Sequence, residues 1–242
     1  MANNQTANGL SIANEDIIAW DGTTFSRYFD GSDVGLTNLA IDAFAVLSPT
    51  ELLLSFSAAG TVPGLGTVDD SDIVRFTATS LGENTAGMFD LYFDGSDVGL
   101  TTNDEDVDAI ELLPNGHLLI STLGNVSVPG VTAVNEDILE FTPTSLGPTT
   151  AGTWSLYFDG SDVSLDGSSE NVDALALSGP DIYLSTDGNF SVFGLSGADE
   201  DVFVFTPTSL GNTTGGLFSS TLFFHGSAFG LSSNDVSAID LP

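Results

Sequence analysis

Hydrophobic residues in this chain fall in short runs, never at a sustained helical spacing, and each run is closed off by Gly, Pro, Asn, Asp or Ser. Short runs rich in β-branched and aromatic residues and punctuated by turn formers predict strands. No window carries a 3.6-residue period with capping residues, so the pattern predicts an all-β protein with little helix.

The runs recur in fours. One set predicts strands over 107–113, 117–122, 137–142 and 154–159. The first-strand pattern returns at 41–47, 172–177 and 236–241, the second at 52–56 and 182–185, the third at 16–20, 72–76 and 201–205. The fourth strand ends each time in one phrase, Tyr92-Phe93-Asp94-Gly95-Ser96-Asp97-Val98-Gly99-Leu100 in the clearest copy. It recurs at 28–36, returns at 157–165 with Ser164 in place of Gly99, and decays to Phe223-Phe224-His225-Gly226-Ser227-Ala228-Phe229. The period is about 65 residues, and self-similarity at that spacing decides an architecture. Third-strand runs such as Val202-Phe203-Val204-Phe205 are apolar on both faces, as in a sheet covered on both sides. Four strands repeated radially predict a propeller.

The stretch Leu113-Pro114-Asn115-Gly116-His117-Leu118-Leu119-Ile120-Ser121-Thr122 resembles the strand, Pro-x-Gly turn, strand unit of the β-propeller superfamily, and the likeness extends over nearly the whole chain. The Tyr-Phe-Asp-Gly-Ser-Asp-Val phrase resembles acidic bacterial extracellular propeller repeats, and the chain is similar to four-bladed propeller subunits that string into extracellular filaments. This resemblance implies one domain over 1–242, a four-bladed β-propeller of four-stranded blades. Blades would span 37–100, 101–165 and 166–231, with a fourth shared between 1–36 and 232–242. Superfamily membership implies a fold and not an activity.

The shared blade closes a C-terminal first strand against N-terminal third and fourth strands and lacks its own second strand; the lost piece matches 115–121. Such a slot exposes unpaired backbone flanked by Ile17, Ile18, Trp20, Val236, Ala238, Ile239 and Leu241, and invites a foreign strand. Three readings compete. The chain is a fragment of a longer repeat protein, or a neighbouring copy fills the slot and builds a head-to-tail homopolymer, or 1–12 folds back as a poor second strand.

Charge narrows the partners. The formal charge is −32, from 34 acidic side chains against Arg27 and Arg75 alone. That repels nucleic acid and anionic membranes and favours cations, basic partners and solubility. There is no Cys, so disulfides play no part. No apolar run is long enough to cross a bilayer, and 1–4 has neither a basic nor an apolar leader pattern. The Thr/Ser/Gly/Asn-rich texture predicts an extracellular or cell-surface protein; a halophile's cytosol is the alternative.

Asp outnumbers Glu by 25 to 9 and recurs at fixed stations. Asp30, Asp94 and Asp159 carry Asp33, Asp97 and Asp162 three residues on; Asp42, Asp108 and Asp173 open first strands; Asp72, Asp137 and Asp201, with Asp16, open third strands. Short carboxylates beside glycines and free carbonyls suit calcium, which takes six to eight oxygen ligands. The competing reading makes them turn and strand-end residues. The fourth copy places His225, Ala228 and Ser237 where the others have Asp. In a blade, the loops carrying most of these acids are expected on one face, and the Thr-rich connections between third and fourth strands on the other.

Other candidates are few. His117 reads as a solvated turn residue, His225 as a drifted ligand, and Arg27 and Arg75 as drift. Asn-x-Ser/Thr sequons at Asn4, Asn125, Asn189 and Asn212 are glycan acceptors if the protein is secreted by a eukaryote. No nucleophile context or single asymmetric carboxylate pair stands out. The expectation is therefore a non-catalytic extracellular structural or adhesive propeller, binding calcium on its acidic loop face and assembling with copies of itself. The alternative is a glycan- or protein-binding module of a larger secreted propeller.

Overall fold

The computed structural model describes residues 5–241. Strands β1 (Gln5–Ala7) and β2 (Leu10–Ile12) form a hairpin, and β3 (Ile17–Trp20) pairs with β4 (Phe25–Phe29). The next period runs β5 (Ile41–Ser48), β6 (Glu51–Phe56), β7 (Gly60–Val62), β8 (Gly66–Val68), β9 (Ile73–Ser80) and β10 (Ala86–Phe93). The following one runs β11 (Val107–Leu112), β12 (Leu118–Thr122), β13 (Val126–Val128), β14 (Val131–Ala133), β15 (Ile138–Ser145) and β16 (Ala151–Phe158). The last comprises β17 (Val172–Ser178), β18 (Asp181–Thr186), β19 (Phe190–Val192), β20 (Leu195–Gly197), β21 (Asp201–Ser209), β22 (Gly215–Phe218) and β23 (Phe224–His225). The sheets are small and antiparallel, ordered β5-β6-β9-β10, β11-β12-β15-β16 and β17-β18-β21-β22, with β23 also on β21. The protein is all-β; helical structure among the described residues is limited to short 3-10 turns such as Ser96–Val98.

Two expectations need correction. Each period carries a small hairpin between its second and third strands, β7–β8, β13–β14 and β19–β20, which the sequence pattern left as loop. The segment 1–12, weighed as a fold-back second strand, instead supplies the equivalent hairpin β1–β2 over its described part. Its Asn8-Gly9 turn has both residues at positive φ, 46° and 89°, as a tight hairpin needs. Second, 236–241 is not a strand, because no second strand lies beside it to form a ladder. It is held at two points: Val236 N–H donates to Asp199 O at 2.9 Å, and Val46 N–H donates to Asp240 Oδ1 at 3.1 Å.

Both faces of the second strands β6 and β12 are buried, whereas Tyr183 on one face of β18 is half-buried. Leu52 and Leu54 pack towards Phe29 and Phe76, whereas Leu53 joins the cluster of Phe93, Ile120 and Phe141. Leu118 and Ile120 belong to that cluster too, and Leu119 turns to Phe158, Leu184 and Phe203. Each apolar cluster thus spans two successive periods, and full burial of one such side chain contributes about 1.5–3 kcal/mol.

Tight packing leaves no room at one recurring glycine. Gly152, paired with Pro143, lies against the Thr142 carbonyl and the Phe141 ring, and Gly87 and Gly216 repeat the arrangement. A Cβ there overlaps backbone, which cannot swing away. Gly152→Ala is expected to cost about 1–3 kcal/mol, read as a lower urea midpoint; an unchanged midpoint would show that this close approach is not required.

Candidate functional site

The recurring phrase is a grip between periods. Its Phe is buried edge-on against the third-strand Phe of the next period: Phe29 on Phe76, Phe93 on Phe141 and Phe158 on Phe205, with ring centroids 5.1, 5.2 and 5.4 Å apart. Its Tyr carbonyl accepts from Gly82, Gly147 or Gly211 in the next period's turn between third and fourth strands. In that turn one Thr closes the contact. Thr150 Oγ1 accepts from Asp94 N–H at 2.9 Å and donates to Gly147 O, and Thr150 N–H donates to Asp97 Oδ2 at 2.9 Å. Asp30 and Asp33 grip Thr85 in the same way, and Asp159 and Asp162 grip Thr214. The acidic loops and the Thr-rich turns, expected on opposite faces, therefore meet.

The third-strand aspartates are clamps within a period. Asp137 Oδ2 accepts from Val134 N–H at 2.9 Å and its Oδ1 from Gly160 N–H at 3.0 Å, which pins the loop before the strand to the phrase after it. Asp16, Asp72 and Asp201 make the equivalent pairs of bonds, Asp201 with Gly226 of the decayed phrase. Glycine is required in the phrase because a Cβ on Gly160 would overlap the Glu136 carbonyl. Burial raises the Asp137 pKa, and the two N–H bonds oppose the rise. Glu105 and Glu170, not singled out from sequence, do similar work: Glu105 accepts from Thr101, Thr102 and Ser127 N–H, Glu170 from Asp166, Gly167 and Ser191 N–H.

The first-strand aspartates behave differently. Asp42, Asp108 and Asp173 stand near one another, together with Asp106 and Asp235, which the Asp pattern did not single out. Asp108 is buried, with Ser121 Oγ donating to it at 2.6 Å and Asn171 Nδ2 at 3.3 Å. Burial pushes its pKa well up. Asp173 is buried against Asp235 and is raised likewise by burial and by its acidic neighbours. Burial, with Asp42, Asp70 and Asp69 nearby, pushes Asp106 up to about 8, and burial takes Asp235 to about 7. At the opposite ends of the first strands, a cavity of about 320 Å³ is lined by Ala45, Val46, Leu47, Glu111 and Asp240 among others, where burial takes Glu111 to about 7. Among the described residues, no three acidic or imidazole groups converge on one point as a ready-made metal site.

Both arginines have partners. Arg27 bonds to Asp30 and to the Ser11 carbonyl and lies 3.2 Å from Asp16; Arg75 makes two bonds to Asp90. His117 Nδ1 lies 2.6 Å from Glu140 Oε1 and 3.2 Å from Thr142 Oγ1, half-buried rather than solvated. His225 Nε2 lies 2.9 Å from the hydroxyl of its neighbour Ser227. Asn125, Asn189 and Asn212 are exposed, and Asn4 lies outside the described residues. Ile17 is buried, whereas Ile18, Trp20, Val236, Ala238, Ile239 and Leu241 are half-buried. No helix of the described residues is long and apolar enough to cross a membrane.

Two outcomes follow from these contacts. Thr150→Val keeps the shape but leaves Asp94 N–H and the Gly147 carbonyl without the hydroxyl; chemical denaturation should show a loss of about 1–3 kcal/mol, and no loss would mean the grip is not held there. The raised carboxyls give a pH dependence. Asp106 and Asp235 hold protons in the folded state up to about 8 and about 7, whereas unfolded Asp releases its proton near 3.9. The stability they contribute is complete below about 4 and is lost as pH rises towards 8. In chelator-containing buffer Tm should therefore fall by several degrees between pH 5 and pH 8.5; a Tm that rises over that range would contradict the assignment.

No family model matches the chain, and a search of curated proteins finds no relative.

Proposed function

We propose that these sheets are the blades of a four-bladed β-propeller, and that the protein is an extracellular structural or adhesive module rather than a catalyst. Its fourth blade accepts a β-strand from another copy, so that copies join head to tail. The observation that supports this reading is an empty second-strand station. Residue 236 is anchored as first strands are: Val107 N–H donates to Asp70 O and Val172 N–H to Asn135 O, and Val236 N–H donates to Asp199 O. Asp240 receives Val46 N–H as Glu111 receives Leu177 N–H. The strand β3 occupies the third-strand station and pairs with β4 alone among the described residues. Where the complete periods hold β6, β12 or β18, no strand of residues 5–241 pairs with β3.

Cyclic contacts support the propeller. Trp20 meets Phe224 at 6.3 Å and Phe229 at 4.5 Å, joining the last period back to β3, while Phe29 joins β4 to the next. An unpaired edge beside an apolar flank favours strand addition, since main-chain bonds supply affinity and side-chain pockets supply register. Such a contact joins unlike surfaces of two copies, and a heterologous contact that does not close builds an open chain of copies. The second reading, favoured by the same station, is that a longer chain supplies its own strand.

A synthetic peptide copying residues 115–121 tests strand acceptance. It should bind the chain saturably and raise its Tm; no binding would remove the acceptor role. Light scattering on the chain alone should show mass growing with concentration and shrinking when the peptide competes. A chain that binds peptide yet stays monomeric at every concentration would overturn the homopolymer and favour the longer-chain reading.

A further inference from the structure

Buried polar atoms without partners are not scattered through this molecule. Six such side-chain atoms occur among the described residues. One is Arg27 Nε, which faces Glu83 at 3.7 Å. The other five are all oxygens, Asp106 Oδ1, Asn171 Oδ1, both carboxylate oxygens of Asp173, and Asp235 Oδ1.

These five oxygens lie along one row of strand starts, with Asp108 neighbouring both Asp106 and Asp173. Asp106 and Asn171 immediately precede β11 and β17, Asp173 is the second residue of β17, and Asp235 precedes the segment anchored by Val236. Asn171 Nδ2 donates to Asp108 and to the Leu123 carbonyl, which commits the amide nitrogen and leaves its oxygen buried without a partner. Asp173 and Asp106 are at least nine-tenths buried, with relative exposures of 5% and 3%. The charges around Asp173 are those of Asp235, Asp108 and Asp187, and around Asp106 those of Asp42, Asp70 and Asp69. Acceptors crowd these strand starts: no N–H and no Ser or Thr hydroxyl bonds to these oxygens, and Asp173 and Asp235 have only a hydrogen bond to one another.

A buried acceptor without a donor costs about 1–3 kcal/mol, and more when charged. Elsewhere the fold avoids that cost at its buried carboxylates: Asp137, Asp72, Asp201, Glu105 and Glu170 each receive backbone N–H groups. A group of buried oxygens that receives no backbone N–H, in a protein that supplies N–H donors to its other buried carboxylates, is suited to a positive charge. We propose that the first-strand starts form a single site for a hard divalent cation, with Asp106, Asn171, Asp173 and Asp235 as oxygen donors and Asp42 and Asp108 beside them. The chemistry is that of calcium, which takes carboxylate and amide oxygens together, six to eight in all, in irregular geometry. The side chains do not converge as they stand; Asp and Asn are short, and gathering their oxygens is a matter of changing staggered rotamers. The site is distinct from the phrase aspartates, whose oxygens already serve Thr and Ser partners, and it does not rest on the strand-acceptor reading.

The test uses the chain freed of metal by a chelator and then dialysed against calcium at pH 8. Saturable calcium retention and a higher Tm with calcium than with chelator are expected. Asp173→Asn and Asp106→Asn should each weaken retention by about 10–100-fold, whereas Glu83→Gln, on the surface beside Arg27, should retain calcium fully. Removing a buried charge should leave metal-free Asp173→Asn folded, with Tm equal to or above that of the metal-free parent and its calcium response lost. If that variant does not fold, Asp235→Asn, which is less buried, gives the same readout. No calcium retained and no change in Tm would overturn the proposal, and so would full retention in the folded Asp variants, which would move the ion elsewhere.

Discussion

The structure depends on the way one period holds the next. A four-stranded sheet whose second strand is apolar on both faces, as Leu52-Leu53-Leu54 and Leu118-Leu119-Ile120 are, has no stable existence alone. Its free energy lies in the interfaces, and each interface is keyed by the same phrase. The Phe of the phrase supplies buried area and an edge-to-face partner, while its aspartates fix the neighbouring Thr turn by hydrogen bonds in both directions. The apolar half is strong but tolerates sliding; the polar half is weak but directional. Together they set the distance and the rotation between sheets.

The same division explains how a chain of charge −32 buries carboxylates at all. Where a carboxylate closes a loop, the loop supplies the N–H groups, and a buried acid becomes a clamp, as at Asp137 and Glu170. Where first strands begin side by side, the backbone N–H groups are committed elsewhere, Val107 N–H to Asp70 O and Val172 N–H to Asn135 O among them. Side chains there meet only other acceptors. The repeat that makes the clamps thus also makes the acidic centre, because it brings equivalent acids from different periods to one place.

Much of this was legible in the sequence. The period, the four strand runs and the two-faced burial followed from apolar patterning, and Asp as a turn residue followed from its chemistry. The inserted hairpins were missed because three-residue strands such as Val126-Ser127-Val128 are shorter than the pattern rule resolves, although the alternation and Pro129-Gly130 were present. The Thr partners were missed for another reason. Thr85, Thr150 and Thr214 recur at one period, but a hydroxyl's partner lies more than fifty residues away, and spacing along a chain carries no record of that contact. Arg27 looked like drift because equivalent positions differ; its role comes from the acids that fold around it. Asp106 and Asn171 escaped because they differ between copies, and repeat logic weights what is the same.

What differs in the last copy has one physical cause. Phe76 and Tyr92 lie 16 positions apart, whereas Trp20 and Tyr28, at the same stations, lie only 8 apart. The shorter connection between β3 and β4 removes the turn that carries Thr85 in the next period, so the phrase at 223–229 faces no Thr. An aspartate there would be an acid without its donor; the chain places His225 and Ala228 instead. Contact passes to rings, with Trp20 against Phe25, Phe224 and Phe229 at 4.6, 6.3 and 4.5 Å. Tilted and edge-on rings hold area without fixing register as a two-way hydrogen bond does. The decay of the phrase is therefore not loss of a ligand set. It marks the one junction among the described residues where directional contact gave way to apolar contact, and that junction borders the two-stranded sheet of β3 and β4.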